Sequence, residues 1–329
     1  MYTPAKERYE IMEYNRCGES GLMLPKVSLG LWHNFGDTSD YENMKQLCFT
    51  AFDNGITQFD LANNYGPAYG SAERNFGKIL EEELMPYRDE MIITTKAGYD
   101  MWEGPYGNWG SRKYLLASLD QSLKRMGLEY VDIFYHHRMD PETPLEETMG
   151  ALATAVQQGK ALYVGLSKYP VDKAAEACEM MRQQNVRCLI YQDRYSMLSR
   201  KPEGSHFAMC REQGLGFIAF SPLAQGLLTN RYINGIPDGS RAARDGGFLH
   251  REDITPELVE KIKLLDAMAA RRRQSLAQMA IAWLLAKPGM TSVIVGASSV
   301  GQLDNNIAAV DNIEFTIEEL AEIDAILNQ

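Results

Sequence analysis

The stretch Met91-Ile-Ile-Thr-Thr-Lys96 is a short apolar run that ends in a charge, and the runs Val131-Asp-Ile-Phe-Tyr135 and Phe217-Ile-Ala-Phe220 share its apolar character. Residues on both faces of these runs are mostly apolar, which is typical of parallel strands that helices cover on both sides. A half-exposed strand would instead alternate apolar and polar residues. The three runs therefore predict an α/β fold with a parallel sheet.

Similar runs recur along the chain, and a stretch of helical period follows each of them. The helix predicted after the third run, for example, has Leu115, Leu119 and Leu123 on one face. The eight predicted pairs of strand and helix are residues 27–31 with 43–54, 57–60 with 71–80, 91–96 with 112–126, 131–136 with 144–158, 161–166 with 171–185, 188–191 with 203–213, 216–220 with 258–273, and 292–295 with 302–310. Eight such pairs predict a closed (β/α)8 TIM barrel. An open doubly wound sheet is the alternative, and it is disfavoured because no GxGxxG turn follows a predicted strand.

Three further segments lie outside the eight pairs. Residues 12–26 place Gly18 and Gly21 between two extended pieces, which predicts an N-terminal β-hairpin that caps the bottom of the barrel. Residues 223–256, after the seventh strand, form a glycine-rich loop that is longer than an ordinary connection, as binding loops often are. Thr316 is expected to begin an extra C-terminal helix that ends near residue 327.

Composition and charge narrow the class of protein. The 329 residues contain 33 Lys and Arg against 44 Asp and Glu, and the net charge of −11 argues against a nucleic-acid partner. The five cysteines lack the spacing of a zinc site and are typical of reduced thiols in the cytosol. The first ten residues are polar and charged, and no apolar run is long enough to cross a membrane. We expect one domain over residues 1–329, a cytoplasmic location and no membrane partner.

Four polar residues stand at or just after the ends of the second, third and fourth predicted strands. They are Asp60, Tyr65, Lys96 and His137, which we call the tetrad. The C-terminal ends of the strands meet at one face of a (β/α)8 barrel, and this face carries the active site. A charge that ends a buried strand needs a partner, so Lys96 is expected to pair with Asp60. Packing and helix capping explain such residues singly, but four complementary groups together favour chemistry.

The residue types of the tetrad suit the reduction of a carbonyl. A tyrosine hydroxyl with an ordinary pKa near ~10 is a weak acid, and the Lys96 ammonium is expected to lower the pKa of Tyr65. Asp60 is expected to hold Lys96 protonated, and His137 to orient the substrate oxygen. Because no side chain can supply a hydride, a cofactor is needed.

The chain resembles the aldo-keto reductases from about residue 14 to residue 328. The motifs that carry the resemblance are Leu29-Gly-Leu-Trp32, Phe59-Asp-Leu-Ala-Asn-Asn-Tyr-Gly-Pro67, Thr94-Thr-Lys96, Val131-Asp-Ile-Phe-Tyr-His-His137, Gly165-Leu-Ser167, Phe220-Ser-Pro-Leu-Ala-Gln-Gly-Leu-Leu228 and Val295-Gly-Ala-Ser298. The resemblance implies that NADPH binds across the barrel mouth and that the tetrad is catalytic. It favours His137 over His136, which stays the alternative, because the family's histidine comes five residues after the strand aspartate, here Asp132.

The resemblance also implies ligand-binding residues. Those for the cofactor are Gly30, Leu31, Trp32, Asp60, Ser167, Gln192, Phe220, Ser221, Leu223, Gln225, Gly226, Arg231, Arg241, Gly296, Ser298, Gln302 and Asn306. Those for the substrate are Trp32, Tyr65, Tyr99, Trp102 and His137, and no metal is expected. Arg241 and Arg244 are expected to bind the 2′-phosphate of NADP, since a guanidinium suits a phosphate. A phosphorylated substrate would need a nearby cation such as Arg112, Lys113 or Lys168.

Residues 99–107, 111–127 and 223–229 look closest to the bacterial L-glyceraldehyde 3-phosphate reductases, in the branch that also contains the β subunits of voltage-gated potassium channels. This resemblance implies NADPH-dependent reduction of a small aldehyde, such as L-glyceraldehyde 3-phosphate or methylglyoxal, by a homo-oligomer (tetramer or octamer). One alternative is an NADPH-binding sensor or assembly subunit with vestigial turnover. Another is a metal-dependent barrel hydrolase, whose ligands would be His33, His136, His137 and Asp60.

Overall fold

The computed structural model describes residues 2–243 and 249–328. Its strands, in chain order, are β1 (Tyr14–Arg16), β2 (Met23–Pro25), β3 (Val27–Gly30), β4 (Gln58–Asp60), β5 (Ile92–Ala97), β6 (Val131–His136), β7 (Ala161–Ser167), β8 (Cys188–Arg194), β9 (Gly216–Phe220) and β10 (Met290–Val295). Within these ranges, the eight strands from β3 to β10 close into a barrel in chain order, and all neighbours are parallel. The predicted (β/α)8 TIM barrel is confirmed.

Helices surround the barrel. They are α1 (Arg8–Ile11), α2 (Tyr41–Asp53), α3 (Ser71–Ile79), α4 (Arg112–Met126), α5 (Leu145–Gln157), α6 (Val171–Gln183), α7 (Ser205–Gln213), α8 (Pro256–Arg271), α9 (Leu276–Leu285), α10 (Val300–Ile307) and α11 (Ile317–Leu327). Helix α4 has its predicted bounds because the Ser111 side chain accepts a hydrogen bond from the Tyr114 backbone at its start. Gly127 ends it with a positive φ of 67°.

The helix between the last two barrel strands differs from the prediction. The sequence assigned residues 258–273 to this place, but that helix is α8, which packs mainly against α9 and α11. The helix that packs against β10 is α9, which the sequence analysis missed. Nine of its ten residues are buried, so it lacks the polar face by which an amphipathic helix is recognised. The extra C-terminal helix is present as α11, and a capping box of Thr316 and Glu319 begins it.

The N-terminal hairpin of β1 and β2 closes the end of the barrel where the strands begin, as predicted. Cys17 and Leu24 are fully buried in the barrel interior, among the side chains of strands β6, β8 and β9. The Glu19 backbone donates a hydrogen bond of 3.0 Å to the Gly214 carbonyl, just before β9. A Cβ atom at Gly18 would lie 2.2 Å from the same carbonyl oxygen, so this close approach requires glycine.

The connection from β9 to α8 is the predicted long loop. In its described residues it forms short 3-10 turns, at Ala224–Gly226, Asn230–Tyr232, Arg241–Ala243 and Arg251–Asp253. None of the described helices has both the length and the apolar character needed to cross a membrane. The opposite end of the barrel, where the strands finish, is left to loops and carries the site described next.

Candidate active site

The tetrad lies together at the C-terminal end of the barrel. Asp60 ends β4, Lys96 lies one residue before the end of β5, and His137 directly follows β6. Tyr65 is in the loop after β4, and its hydroxyl oxygen lies 3.4 Å from Lys96 Nζ. The rings of Tyr65 and His137 meet edge to face, with their centroids 5.8 Å apart. Three neighbouring strands thus bring the four side chains to one place.

Lys96 and Asp60 form a buried ion pair. Their side chains are 0% and 3% exposed, and Lys96 Nζ lies 2.5 Å from Asp60 Oδ2. The ammonium also donates to the Leu61 carbonyl at 2.6 Å. The other carboxylate oxygen accepts hydrogen bonds from Thr94 Oγ1 at 2.8 Å and from Gln192 Nε2 at 3.2 Å. Burial lowers the pKa of Lys96 from its ordinary value, and the adjacent carboxylate opposes this shift.

The acidity of Tyr65 differs from the sequence prediction. Burial raises the pKa of its hydroxyl well above the ordinary value, and the nearby Asp60 carboxylate raises it further. The expectation of a lowered pKa was wrong, because desolvation disfavours the charged phenolate. The hydroxyl is therefore protonated at neutral pH, which is the form that a proton donor needs. Lys96 remains close enough to stabilise the phenolate after the proton leaves.

His136 and His137 point in opposite directions, as alternation along a strand requires. His137 packs edge to face against Tyr65 and against Tyr99, whose ring centroid is 4.7 Å away. Burial and the Lys96 charge lower the pKa of His137 well below its ordinary value, so its imidazole is neutral at neutral pH. His136 Nδ1 instead shares a hydrogen bond with the Tyr169 hydroxyl.

The histidines expected for a metal-dependent hydrolase do not converge. His33 stacks on Trp32, with ring centroids 3.9 Å apart, and His136 faces Tyr169. In residues 2–243 and 249–328, no group of three or more His, Cys, Asp or Glu side chains is arranged to hold a metal ion. The geometry therefore gives no support to the hydrolase alternative.

The sequence profile of the Aldo/keto reductase family matches residues 26–328. The chain belongs to this family. The match covers the whole barrel and includes every member of the tetrad. As a member of this family, the chain is an oxidoreductase.

Comparison with individual relatives agrees with this family. Proteins named "L-glyceraldehyde 3-phosphate reductase" from Escherichia coli O157:H7 and strain K12 are each 55% identical over 324 residues, which cover 97% of this chain and 93% of the relative. A "Probable voltage-gated potassium channel subunit beta" from Oryza sativa subsp. japonica is 34% identical over 323 residues, 96% of this chain and 97% of the relative. The higher identity to the reductases favours an enzyme over an assembly subunit.

The residues expected at the nicotinamide end of the cofactor lie around the tetrad in this aldo/keto reductase. Ser167 ends β7 and is buried, and its hydroxyl has no hydrogen-bond partner among the described residues. Such an orphaned group fits a carboxamide ligand. Gly30 ends β3, where a Cβ atom would lie 2.7 Å from Ile294 Cγ2, and Leu31 is buried beside it. Phe220 ends β9 with its ring partly exposed.

The residues expected along the pyrophosphate lie in the first part of the loop after β9. Ser221 and Gln225 have positive φ angles of 55° and 62°, which side-chain-bearing residues rarely adopt. Leu223 and Gly226 share this bent segment, where the Gly226 backbone donates to the Leu223 carbonyl. Arg241 Nη1 donates to Gln225 Oε1 at 2.7 Å, so the far part of the loop folds back over the near part.

Two other arginines were expected near the cofactor, and the described residues do not indicate which of them binds a phosphate. Arg231 lies in an exposed 3-10 turn of the loop, where its backbone donates to Thr229 Oγ1. Arg244 lies outside the described residues. The assignment of the 2′-phosphate therefore depends on Arg241, whose guanidinium contacts Gln225 of the same loop.

The residues expected at the adenosine end surround the start of α10. Gly296 follows β10 directly, and the Ser298 backbone and hydroxyl both donate to Gln302 Oε1, at 3.1 Å and 3.0 Å. Asn306 is buried in the same helix. Asn305, whose role the sequence left open, accepts a hydrogen bond from the Ser275 hydroxyl at 3.1 Å. The helix N-terminus offers backbone N–H groups that suit a phosphate.

The aromatic residues expected to line the substrate site take different positions. Trp32 lies near Tyr65, with ring centroids 5.8 Å apart, and Tyr99 packs on His137. Trp102 is turned toward helix α4, where its ring centroid lies 5.2 Å from that of Tyr114. The first two residues therefore form walls beside the tetrad, whereas the assignment of Trp102 to the substrate site finds no support in its packing.

The sequence analysis missed two residues that shape the site. Thr94 precedes Lys96 by two residues, so strand alternation places both on the same face, and this spacing could have identified the Thr94 hydrogen bond to Asp60. Arg138 follows His137, and its guanidinium lies over the rings of Tyr99 and Trp109. No sequence pattern marks this position, because the two rings come from a different loop.

Proposed function

We propose that the chain reduces short aldehydes to alcohols with NADPH and that Tyr65 donates the proton. One observation carries the proposal: a buried Lys96–Asp60 pair directs its ammonium at the Tyr65 hydroxyl, 3.4 Å away. A structural ion pair has no need of a tyrosine hydroxyl beside its ammonium. A proton donor that must become anionic during the reaction does need such an ammonium.

Each residue of the tetrad has a task in this mechanism. When bound, reduced nicotinamide supplies the hydride. The Tyr65 hydroxyl and the neutral His137 imidazole bind the carbonyl oxygen of the substrate and orient it. Tyr65 passes its proton to that oxygen as negative charge develops there, and Lys96 stabilises the phenolate. Asp60, which is fixed by Thr94 and Gln192, keeps Lys96 charged and in position.

The cofactor contacts proposed for this chain include the Ser167 hydroxyl for the nicotinamide amide and Phe220 for its ring. Gln192 is proposed for the same nicotinamide amide, and in the structure its side chain donates to Asp60 of the tetrad. Arg241 is proposed to bind the 2′-phosphate, which distinguishes NADPH from NADH. Two relatives are named for the reduction of L-glyceraldehyde 3-phosphate, and we propose that compound and methylglyoxal as substrates.

The proposal is tested by mixing the protein with NADPH and either methylglyoxal or L-glyceraldehyde 3-phosphate, and by following cofactor absorbance and alcohol formation. We expect NADPH consumption that matches the alcohol formed. Tight binding of NADPH without consumption on either aldehyde would contradict the proposal and would indicate a sensor. Three further expectations are proposed with tests of their own: a single domain over residues 1–329 by calorimetry, a homo-oligomer (tetramer or octamer) by analytical ultracentrifugation, and a cytoplasmic location by cell fractionation.

A further inference from the structure

Lys168 extends across the barrel mouth between two aromatic side chains. Its Nζ donates a hydrogen bond of 2.9 Å to the Tyr99 hydroxyl. The same atom lies 5.1 Å from the centroid of the Tyr99 ring and 5.2 Å from that of Phe220. Tyr99 packs on His137, and Phe220 ends strand β9. The ammonium is therefore separated from His137 of the tetrad by one aromatic ring, that of Tyr99.

The backbone of Lys168 is held in a conformation that lysine rarely adopts. Its φ angle is 55°, in the left-handed region, although the residue carries a full side chain. Its backbone N–H donates to the Gln192 carbonyl, and it directly follows Ser167 at the end of β7. Unfavourable backbone angles of this kind concentrate at ligand sites, where the surrounding structure holds them. The conformation directs the side chain over the mouth.

Arg138 is a second cation that contacts the same Tyr99 ring as Lys168. The Arg138 guanidinium lies 4.1 Å from the Tyr99 ring centroid and 3.7 Å from that of Trp109, and its Nε donates to the Gly98 carbonyl at 2.8 Å. Across the described parts of the chain, neither Lys168 nor Arg138 forms an ion pair with a carboxylate. Two cations without a carboxylate partner in the described residues thus lie on the Tyr99 ring, although the whole chain carries a net charge of −11.

The spacing between the cation and the tetrad fits a short phosphate ester. One aromatic ring, that of Tyr99, separates them, since its centroid is 4.7 Å from the His137 ring and 5.1 Å from Lys168 Nζ. In a triose phosphate, four single bonds join the aldehyde carbon to phosphorus, which gives a separation of roughly 5 Å in an extended chain. A hydrogen bond of roughly 3 Å at each end extends this reach, so a substrate with its carbonyl at His137 can contact Lys168 with its phosphate.

We propose that Lys168 binds the phosphate of a phosphorylated aldehyde and so determines substrate specificity, with Arg138 as a positioning residue that fixes Tyr99. This inference rests on the reaction proposed above and adds the residue that binds the phosphate of the substrate. The other two cations considered from the sequence lie elsewhere. Arg112 donates to the Gly150 carbonyl, and Lys113 lies over Tyr106.

The test is a comparison of two substrates in one variant. In Lys168→Met, which keeps the length of the side chain and removes its charge, kcat/KM for L-glyceraldehyde 3-phosphate should fall about 10- to 100-fold. The loss should be in KM, because a contact present before and during the reaction contributes uniform binding. Methylglyoxal, which has no phosphate, should be reduced at nearly the wild-type rate, and NADPH affinity should be unchanged. Lys168→Arg should retain most of the activity on the phosphorylated substrate.

Two controls make the result specific. Lys113→Met removes an exposed lysine of the same chain and should leave both substrates unaffected. Inorganic phosphate should inhibit methylglyoxal reduction competitively in the wild type and weakly in Lys168→Met. Absence of that difference would mean that the cation does not bind phosphate and would count against the inference.

Several outcomes would overturn the inference. Equal losses on both aldehydes, or weaker NADPH binding, would assign Lys168 to the cofactor or to the general geometry of the site. Unchanged activity on the phosphorylated substrate would show that no phosphate is bound there. In each of these cases wild-type reduction of methylglyoxal would leave the proposed function standing. Failure of the wild type on both aldehydes would instead reject the proposed function, and the inference with it.

Discussion

The two ends of the barrel are filled in opposite ways. At the N-terminal end, Cys17 and Leu24 of the hairpin are fully buried among apolar side chains. At the C-terminal end, the buried groups are the ion pair of Lys96 and Asp60 and the hydroxyl of Ser167, which finds no partner in the described part of the chain. Burial of apolar area stabilises a fold, whereas burial of charged or unpartnered groups opposes it. One end therefore serves stability, and the other serves chemistry.

The largest expected effect is at the end that serves chemistry. Tyr65→Phe should lower kcat about 10²- to 10⁴-fold, because it removes the proton donor and little else. NADPH affinity and thermal stability should stay near those of the wild type. Tyr169→Phe is the matched control, since it removes a tyrosine hydroxyl that contacts His136 outside the site. Steady-state rates with methylglyoxal measure both variants, and near-normal turnover of Tyr65→Phe would contradict the assignment.

The Lys96–Asp60 ion pair is expected to contribute to both stability and activity. Lys96→Met leaves the Asp60 carboxylate buried without its charge partner, and the free energy of unfolding should fall by about 3–5 kcal/mol. Activity should be lost as well. The double variant Asp60→Asn with Lys96→Met should regain stability without regaining activity. Urea unfolding measures this difference, and a double variant no more stable than the single one would disprove the account of the pair.

A substitution at the N-terminal end of the barrel should change stability and leave activity unchanged. Leu24→Ala creates a cavity beneath the barrel and should lower the free energy of unfolding by about 3 kcal/mol. The value of kcat at a temperature where the variant is folded should equal that of the wild type. Urea unfolding and steady-state kinetics on one preparation test both statements. A loss of kcat with unchanged stability would break the proposed division between the two ends.

The smallest expected effect concerns the choice of cofactor. Arg241→Gln should weaken NADPH binding about tenfold, because one charge-assisted hydrogen bond to the 2′-phosphate is lost. NADH binding should change little, since NADH lacks that phosphate. Fluorescence titration with both cofactors measures the two dissociation constants. Equal weakening would show that Arg241 holds the loop through its contact with Gln225 rather than binding the phosphate.

The sequence predicted the barrel well because strands and amphipathic helices are marked by patterns of neighbouring residues. Strand β6 and helix α4 have their predicted bounds, and α4 carries its own capping signals in Ser111 and Gly127. Helix α9 was missed because burial on all sides removes the periodic pattern. Periodicity therefore detects elements that face water on one side, and it fails for those enclosed by others.

The proximity of the tetrad side chains was predicted correctly, but the direction of the Tyr65 pKa shift was not. Strand ends and alternation were sufficient to bring Lys96 next to Asp60 and to separate His136 from His137. The direction of the pKa shift of Tyr65 was wrong because desolvation depends on the packing of several loops, which no local pattern records. Arg138 was not predicted for a similar reason, since the rings that it contacts, Tyr99 and Trp109, belong to a different loop.

The central claim is that the C-terminal end of the barrel directs a hydride to a carbonyl carbon while Tyr65 protonates the oxygen. The most direct measurement uses NADPH with deuterium at the transferable position of the nicotinamide and methylglyoxal as the substrate. Mass spectrometry of the alcohol should show one deuterium on the newly formed alcohol carbon for each NADPH oxidised. An alcohol without deuterium, or oxidation of NADPH without alcohol, would contradict the claim.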